Sequence, residues 1–247
     1  MLRLMLDDGM WERMKTLLPA NKGRHGEDDR LFLEAVLWVL RTGSPWRDLP
    51  TEFGKWQTVY GRYSRWVKKG NFSGMLEQLK SVADNEWNMI DGSITRAHKH
   101  AAGAKKSITD QGLGRSCGGF SSKVHAKVDS FGMPLKFIVT AGQEHDMKQA
   151  EALVGDDECE MLLADRGYDS DDFRKALQNK GIQPVIPGKK NRKTKIEYDE
   201  HTYKERNAVE RFFARMKEFR RLATRFDKTK LMFVGSLTLW AVLTWLK

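Results

Sequence analysis

Apolar positions in the first third of the chain recur at helical spacing. Leu31, Ala35, Leu37, Val39 and Leu40 predict a mostly buried helix stopped by Arg41-Thr42-Gly43, and Pro45 and Pro50 hold SPWRDLP as a turn segment. A second helix is expected from Lys55. There Trp56, Val59, Tyr60, Tyr63, Trp66 and Val67 fall on one face, while Gln57, Arg62, Arg65, Lys68 and Lys69 fall on the other. Helix, turn and basic helix fit helix-turn-helix-like DNA binding, with Gln57, Arg62 and Arg65 as candidate contacts. An all-helical cap with a solvated basic face would give the same pattern.

From about residue 86 the pattern changes to short strands alternating with helices. NEWNMID reads as a strand ending at Asp91, and KVHAKVDS and PLKFIVTAG as a hairpin turning at Ser130-Phe131-Gly132. A helix is expected over Met147 to Val154, a strand in CEMLLAD ending at Asp165, a helix in DDFRKALQNKG and a strand in IQPVIPG. The lysine-rich loop KKNRKTK and a long helix over YKERNAVERFFARMKEFRR follow. Three antiparallel strands, then helix–strand–helix–strand–helix, is the order of an RNase H-like α/β domain with a mixed sheet flanked by helices. The expected division is therefore a small all-α domain over 1–82 and a catalytic domain over 83–247. The apolar end, LMFVGSLTLWAVLTWLK, is too short and too interrupted for a membrane span and is expected to be a buried helix.

Charge sharpens this picture. The net charge of +10 favours a polyanionic partner, although many housekeeping basic proteins share it. Cys117 and Cys159 lack metal-ligand spacing and are expected to be reduced thiols. Acidic residues near the start argue against an export signal, so a cytoplasmic, nucleoid-associated protein is expected.

Asp91 and Asp165, each at an expected strand end, are candidates for one site, since ligands gather beyond strand ends in α/β sheets. Aspartates also serve there as ordinary turn and cap residues, as Asp129, Asp146, Asp169 and Asp171 suggest. The long helix adds a third carboxylate. With Tyr203 at zero and about 100° per residue, Arg206 falls near about −60°, Glu210 near about −20° and Lys217 near about −40°. All four share a stripe opposite Phe212, Met216, Phe219 and Ala223. An i, i+4 pair would account for Arg206 with Glu210, at about 0.2–0.5 kcal/mol, but not for Tyr203 or Lys217. A polyanionic ligand lying along the stripe accounts for all of them. Two aspartates and a glutamate supply hard oxygen donors for a pair of Mg²⁺ or Mn²⁺ ions, the arrangement used for in-line phosphoryl transfer. Lys189, Lys190, Arg192 and Lys193 form a charge run that is either solvated or in contact with DNA. His125 reads as structural, and His145 and Asp146 begin a helix, with Asp146 either its cap or a group that supports the ligands from behind the site.

Tyr203, Arg206, Glu210 and Lys217 reproduce the Y-(2)-R-(3)-E-(6)-K pattern of bacterial DDE transposases of the insertion-sequence four and five groups. MIDGSITRAH and LLADRGYDSDDFR resemble the segments carrying that family's two aspartates. RSCGGFSSKVHAKVDSFGMPLKFIVTAGQEHD resembles the stretch between them in the insertion-sequence-five group, and VLRTGSPWRDLPTEFGKWQTVYGRYSRWVKKGNF its amino-terminal domain. The resemblance implies that Asp91, Asp165 and Glu210 are catalytic metal ligands for two Mg²⁺ (or Mn²⁺) ions. It implies that Tyr203, Arg206 and Lys217 contact double-stranded DNA at transposon terminal inverted repeats. It further implies cleavage that frees 3′-hydroxyls, their joining to target DNA without a covalent protein–DNA intermediate, and a homodimer or higher oligomer on paired ends. A nuclease without strand transfer, or a transposase-derived DNA-binding regulator, is the rival. The short interval from Pro187 to Tyr203 leaves no room for the large insertion domain of some relatives.

Overall fold

The computed structural model describes residues 4–19, 28–103, 111–116, 118–156 and 158–247. Cys117 lies outside the described residues. The chain opens with helices α1 (Asp8–Leu17), α2 (Asp29–Thr42), α3 (Trp56–Lys68) and α4 (Asn71–Lys80). Asp28 caps α2 by accepting from the Leu31 amide at 3.0 Å, and Gly43 closes it, as the sequence leads one to expect.

Strand β1 (Trp87–Ala97) is followed by β2 (Gly114–Ser116), β3 (Gly119–Val128) and β4 (Pro134–Ala141), with β3 and β4 forming the expected hairpin. Asp129 organises its turn, accepting from the amides of Phe131 at 3.0 Å and Met133 at 2.8 Å. Helix α5 (Ala150–Val154), strand β5 (Met161–Leu163), helix α6 (Asp171–Asn179) and strand β6 (Gln183–Val185) come next. The chain continues through α7 (Glu200–Tyr203), α8 (Asn207–Lys217), α9 (Arg220–Ala223), the short strand β7 (Thr224–Arg225) and α10 (Lys230–Trp245). Across the sheet the order is β4-β3-β1-β5-β6, antiparallel on the β4-β3-β1 side and parallel from β1 to β6. This is the RNase H-like mixed sheet.

Each face of the sheet has its own apolar layer. One holds Met89, Leu163 and Val185 from the strands, against Phe212 and Met216 of α8 and Phe233 and Trp240 of α10. The other holds Ile90, Leu162, Ala164 and Ile186 against α5 and α6. The first layer continues without a break into Leu33, Leu37, Tyr63, Val67 and Leu76 of the N-terminal helices. The expected boundary at 82/83 thus falls in the connection between α4 and β1, and the parts on either side share one core. At the junction the Tyr63 hydroxyl lies 2.8 Å from Ser236 Oγ, and a Cβ at Gly235 would collide with Val67. Apolar residues cover most of α10, and it is buried as expected; among the described residues no helix is long and apolar enough to cross a membrane.

Two expectations need correcting. β1 does not end at Asp91. Its pairing with β3 runs on from Met89↔Val128 to Arg96↔Ser121, and that ladder overrides the poor strand propensity of Asp-Gly-Ser. The long helix is also broken. Asp199 caps α7 through the amides of His201 and Thr202, a 3₁₀ turn spans Lys204–Arg206, and α8 ends before Phe219, whose backbone is extended. Phe219 still reaches the core, but from a turn and not from the helix face assigned to it.

Candidate active site

The site lies where the edge of β1 loses its neighbours. β5 pairs with β1 only from Trp87 to Met89, and β7 only at Arg96 and Ala97. Between them, residues 90–95 have no strand partner on that edge among the described residues. Side chains alternate along a strand, so Asp91 follows Met89 onto the face covered by α8. By the same alternation Asp165 follows Leu163 onto that face. Glu210, exposed in the first turn of α8, is the third candidate carboxylate.

Arg206 ties these elements together. Its Nη1 donates to Asp91 Oδ2 at 3.2 Å, its Nη2 bonds Glu210 Oε1, and its guanidinium carbon sits 5.9 Å from the Tyr203 ring. The i, i+4 pair with Glu210 is therefore present, but it is half of a bridge reaching a strand 115 residues away in sequence. Asp91 Oδ1 accepts from the Gly92 amide at 2.7 Å, and Asp165 Oδ1 from the Gly167 amide at 2.8 Å. Burial pushes the Asp91 carboxyl above the usual range. The Gly92 amide and Arg206 oppose that, while the charges of Asp165 and Asp146 add to it. Asp165 is thus close enough for like-charge repulsion, the condition a bound cation relieves.

A divalent cation is what this donor set suits. The donors are all carboxylate oxygens, the choice of Mg²⁺ and Mn²⁺. A cation, the Arg206 guanidinium, already lies between Asp91 and Glu210. Among the described residues no three of His, Cys, Asp and Glu are gathered closely enough to hold a metal. The donors match such an ion in chemistry alone, with the Arg206 charge standing between two of them.

The remaining candidates divide sharply. Lys217 is exposed in the last turn of α8, away from the bridge. Lys189, Lys190 and Lys193 are exposed, and the Lys189 amide donates to Asp169 Oδ2 at 2.8 Å, which holds the basic loop beside the turn that carries Asp165. Arg192 does not project with them. It pairs with Asp169 at 3.3 Å and bonds Asp171, so it fastens the loop. On α3, Gln57 and Arg65 are exposed. Arg62 turns inward to Asp29 and lies 4.2 Å from the Phe32 ring centroid, so its place on the outer face is corrected.

Sequence reasoning misplaced Asp146. Its carboxylate caps no helix but accepts from Lys123 Nζ at 2.6 Å and faces His125 Nδ1 at 3.1 Å. His125 is structural in the sense expected, buried with Nε2 2.8 Å from Thr140 Oγ1. No signal in the sequence gives this pairing, which follows from the β1–β3 register that sets Gly92 opposite His125 and Ile94 opposite Lys123.

Comparison with known proteins gives the family. Residues 88–243 match the family described as "Transposase DDE domain", and residues 6–76 the family described as "Putative transposase of IS4/5 family". The "Uncharacterized protein y4sN" of Sinorhizobium fredii (strain NBRC 101917 / NGR234) is 47% identical over 105 residues, which are 41% of this chain and 84% of that protein. The "Putative transposase for insertion sequence element IS6501" of Brucella ovis is 34% identical over 129 residues, 51% of this chain and 99% of that protein. A pre-cleavage Mos1 transpososome is matched at 10% identity over 95% of this chain and 83% of that one, with a TM-score of 0.29, too low to bear on the fold. With the transposase DDE domain matched over more than half its length, the chain belongs to the DDE transposases of the IS4/5 family.

Proposed function

We propose that this transposase binds the ends of its insertion sequence, cleaves them to free 3′-hydroxyls and joins those hydroxyls to target DNA. The observation that carries the reading is the Arg206 bridge, which unites carboxylates from β1 and α8 around a positive charge. Asp91, Asp165 and Glu210 are the proposed ligands of two Mg²⁺ or Mn²⁺ ions. When bound, such ions stabilise the attacking and leaving oxygens of an in-line phosphoryl displacement.

The side chains then have separate duties. Arg206 exchanges its carboxylate partners for a phosphate, which its planar fork can bind bidentately. Lys217 takes a phosphate farther along α8. Tyr203, T-shaped against Tyr198 at 5.4 Å, presents a ring held at a fixed angle to the strand. Lys189, Lys190 and Lys193 follow the backbone beyond Asp165, and Gln57 and Arg65 engage the duplex from α3. Hydrolysis at the element's end leaves a 3′-hydroxyl, whose oxygen attacks a target phosphorus and displaces the target's own 3′-oxygen. Two ends must be held together for paired joining, which implies a homodimer or higher oligomer on DNA.

The test is a duplex carrying a matching transposon end, incubated with the protein and Mg²⁺ or Mn²⁺, with Asp165→Ala as control. A labelled 3′ end that is freed and joined to a target plasmid, only with metal and only in the unmodified protein, is the expected result. Cleavage without joining would reduce the reading to a nuclease. End-specific binding with neither step would make the chain a regulator.

A further inference from the structure

Behind Asp91, on the opposite face of β1, is a polar cluster with no part in the reaction as described so far. Gly92 and His125 face one another across β1 and β3, as do Ile94 and Lys123, so Gly92, His125 and Lys123 share that face. Asp146 comes down onto it from the 3₁₀ turn Asp146–Gln149. Lys123 Nζ donates to Asp146 Oδ2 at 2.6 Å and to the Glu144 carbonyl at 3.2 Å. On the other side His125 Nδ1 stands 3.1 Å from Asp146 Oδ1, and His125 is itself fixed by Thr140. So clamped, Asp146 rests on the backbone of Gly92. A Cβ there would collide with Asp146 Oδ1 and lie 3.1 Å from Cγ. The Gly92 amide is the same group that holds Asp91 Oδ1 at 2.7 Å.

A bland ion pair fastening a turn to a sheet would not need this contact. Nor would it account for the Tyr168 hydroxyl, which is buried without a hydrogen bond among the described residues. Burial pushes the Tyr168 hydroxyl far up, and the charges of Asp146, Asp91 and Asp165 add to that.

We propose that Asp146 is a positioning residue of the reaction centre. Clamped by Lys123 and His125, it fixes the β1 backbone at Gly92 and, through the Gly92 amide, the direction of the Asp91 carboxylate. The inference rests on the reading of Asp91 as a metal ligand.

The experiment compares the full chain with Asp146→Asn and Gly92→Ala. Three quantities are read: thermal melting in chelator, binding of Mn²⁺ alone by the paramagnetic resonance of the free ion, and end joining. Gly92→Ala displaces the carboxylate while keeping its charge, so it carries the test if Asp146→Asn loses its fold. The expected result is melting within a few degrees of the unmodified protein, with Mn²⁺ affinity and joining each lowered about 10–100-fold, the usual cost of losing a group that orients a metal ligand. Unmodified KM for the DNA end should accompany the lower rate. Mn²⁺ binding and joining at full level in both variants would overturn the inference, as would losses that track unfolding in both, or no Mn²⁺ binding by the unmodified chain. If the unmodified chain binds Mn²⁺ but joins no end, while the variants still bind Mn²⁺ more weakly, strand transfer falls and the role of Asp146 stands.

Discussion

Two arginines in this protein each lie between two carboxylates, and they do opposite things. Arg192 spans Asp169 and Asp171; Arg206 spans Asp91 and Glu210. Asp169 is fully buried, and besides Arg192 it accepts from Arg174 Nε and Nη2 at 3.0 Å each and from the Lys189 amide at 2.8 Å. Burial opposes its ionisation, but those donors outweigh burial and hold Asp169 below the usual carboxylate range. Asp91 has fewer donors and more anions around it, and its carboxyl is pushed above that range. One site balances two arginines against two aspartates and is closed; the other has surplus negative charge and an open strand edge. The first is a fastener, while the second is, on the proposed function, the site that takes a cation in exchange for its arginine.

The largest effect should separate the two by activity. Asp91→Asn, Asp165→Asn or Glu210→Gln should lower end joining by about 10³-fold or more, since each removes a ligand worth several kcal/mol in the transition state. Asp171→Asn, which loses the exposed partner of Arg192, should change joining less than about twofold. Similar losses from Asp171 and Glu210 would erase the distinction.

Stability should separate them in the reverse sense. Asp169→Ala leaves Arg174 buried without its partner and should cost about 3–5 kcal/mol, a melting point about 10 °C lower. Asp91→Asn in chelator should raise the melting point by a few degrees at pH 7, because Asp91 ionises at a cost in the folded state. Its raised value means that the favourable contribution of the protonated form is complete below about pH 3.9 and lost as pH rises through the folded value. The advantage of Asp91→Asn should therefore disappear near pH 4. Asp169 has the opposite sign. Its contribution is present above about pH 3.9 and lost only as pH falls through its lower folded value, so the penalty of Asp169→Ala should persist at pH 4.

Much of this was legible in the sequence, for identifiable reasons. Strong periodicity located α2, α3, the β3–β4 hairpin and the buried α10. The spacing of Tyr203, Arg206, Glu210 and Lys217 singled out the stripe, even though a 3₁₀ turn interrupts its helix. Long-range pairing was not legible. Asp91-Gly92-Ser93 reads as a strand end because the ladder that carries β1 onward is set by Ala126, His125 and Val124 of β3, far along the chain. Arg62 and Arg192 read as free cations because Asp29 and Asp169 meet them only in three dimensions. Asp146 reads as a cap because Lys123 and His125, its real partners, come from β3, more than twenty residues earlier.

A smaller effect should come from releasing each arginine. If Arg206 holds the metal position closed, Arg206→Ala should bind Mn²⁺ about 3–10-fold more tightly in the absence of DNA, because the fraction of molecules ready to bind rises. Joining should nevertheless fall, since the phosphate contact is gone. Arg192→Ala should leave Mn²⁺ affinity unchanged. Titration of the three proteins with Mn²⁺ reads this directly, and weaker binding by Arg206→Ala would mean that the guanidinium supports the ligands and does not compete for their place.

The smallest effect carries the same contrast to α3, where Arg62 is committed to Asp29 and the Phe32 ring while Arg65 is exposed. A cation that neutralises a phosphate releases counterions, so its loss lowers the slope of log affinity against log salt by about one and weakens binding to all sequences alike. Arg65→Ala should do this in binding to an end-containing duplex, with little change in melting. Arg62→Ala should leave the slope as it was and lower the melting point, since it removes a partly buried pair and a cation over an aromatic ring. The two variants differ by three positions on one helix, so equal slopes would mean that exposure on α3 says nothing about DNA, and that its basic face is solvated.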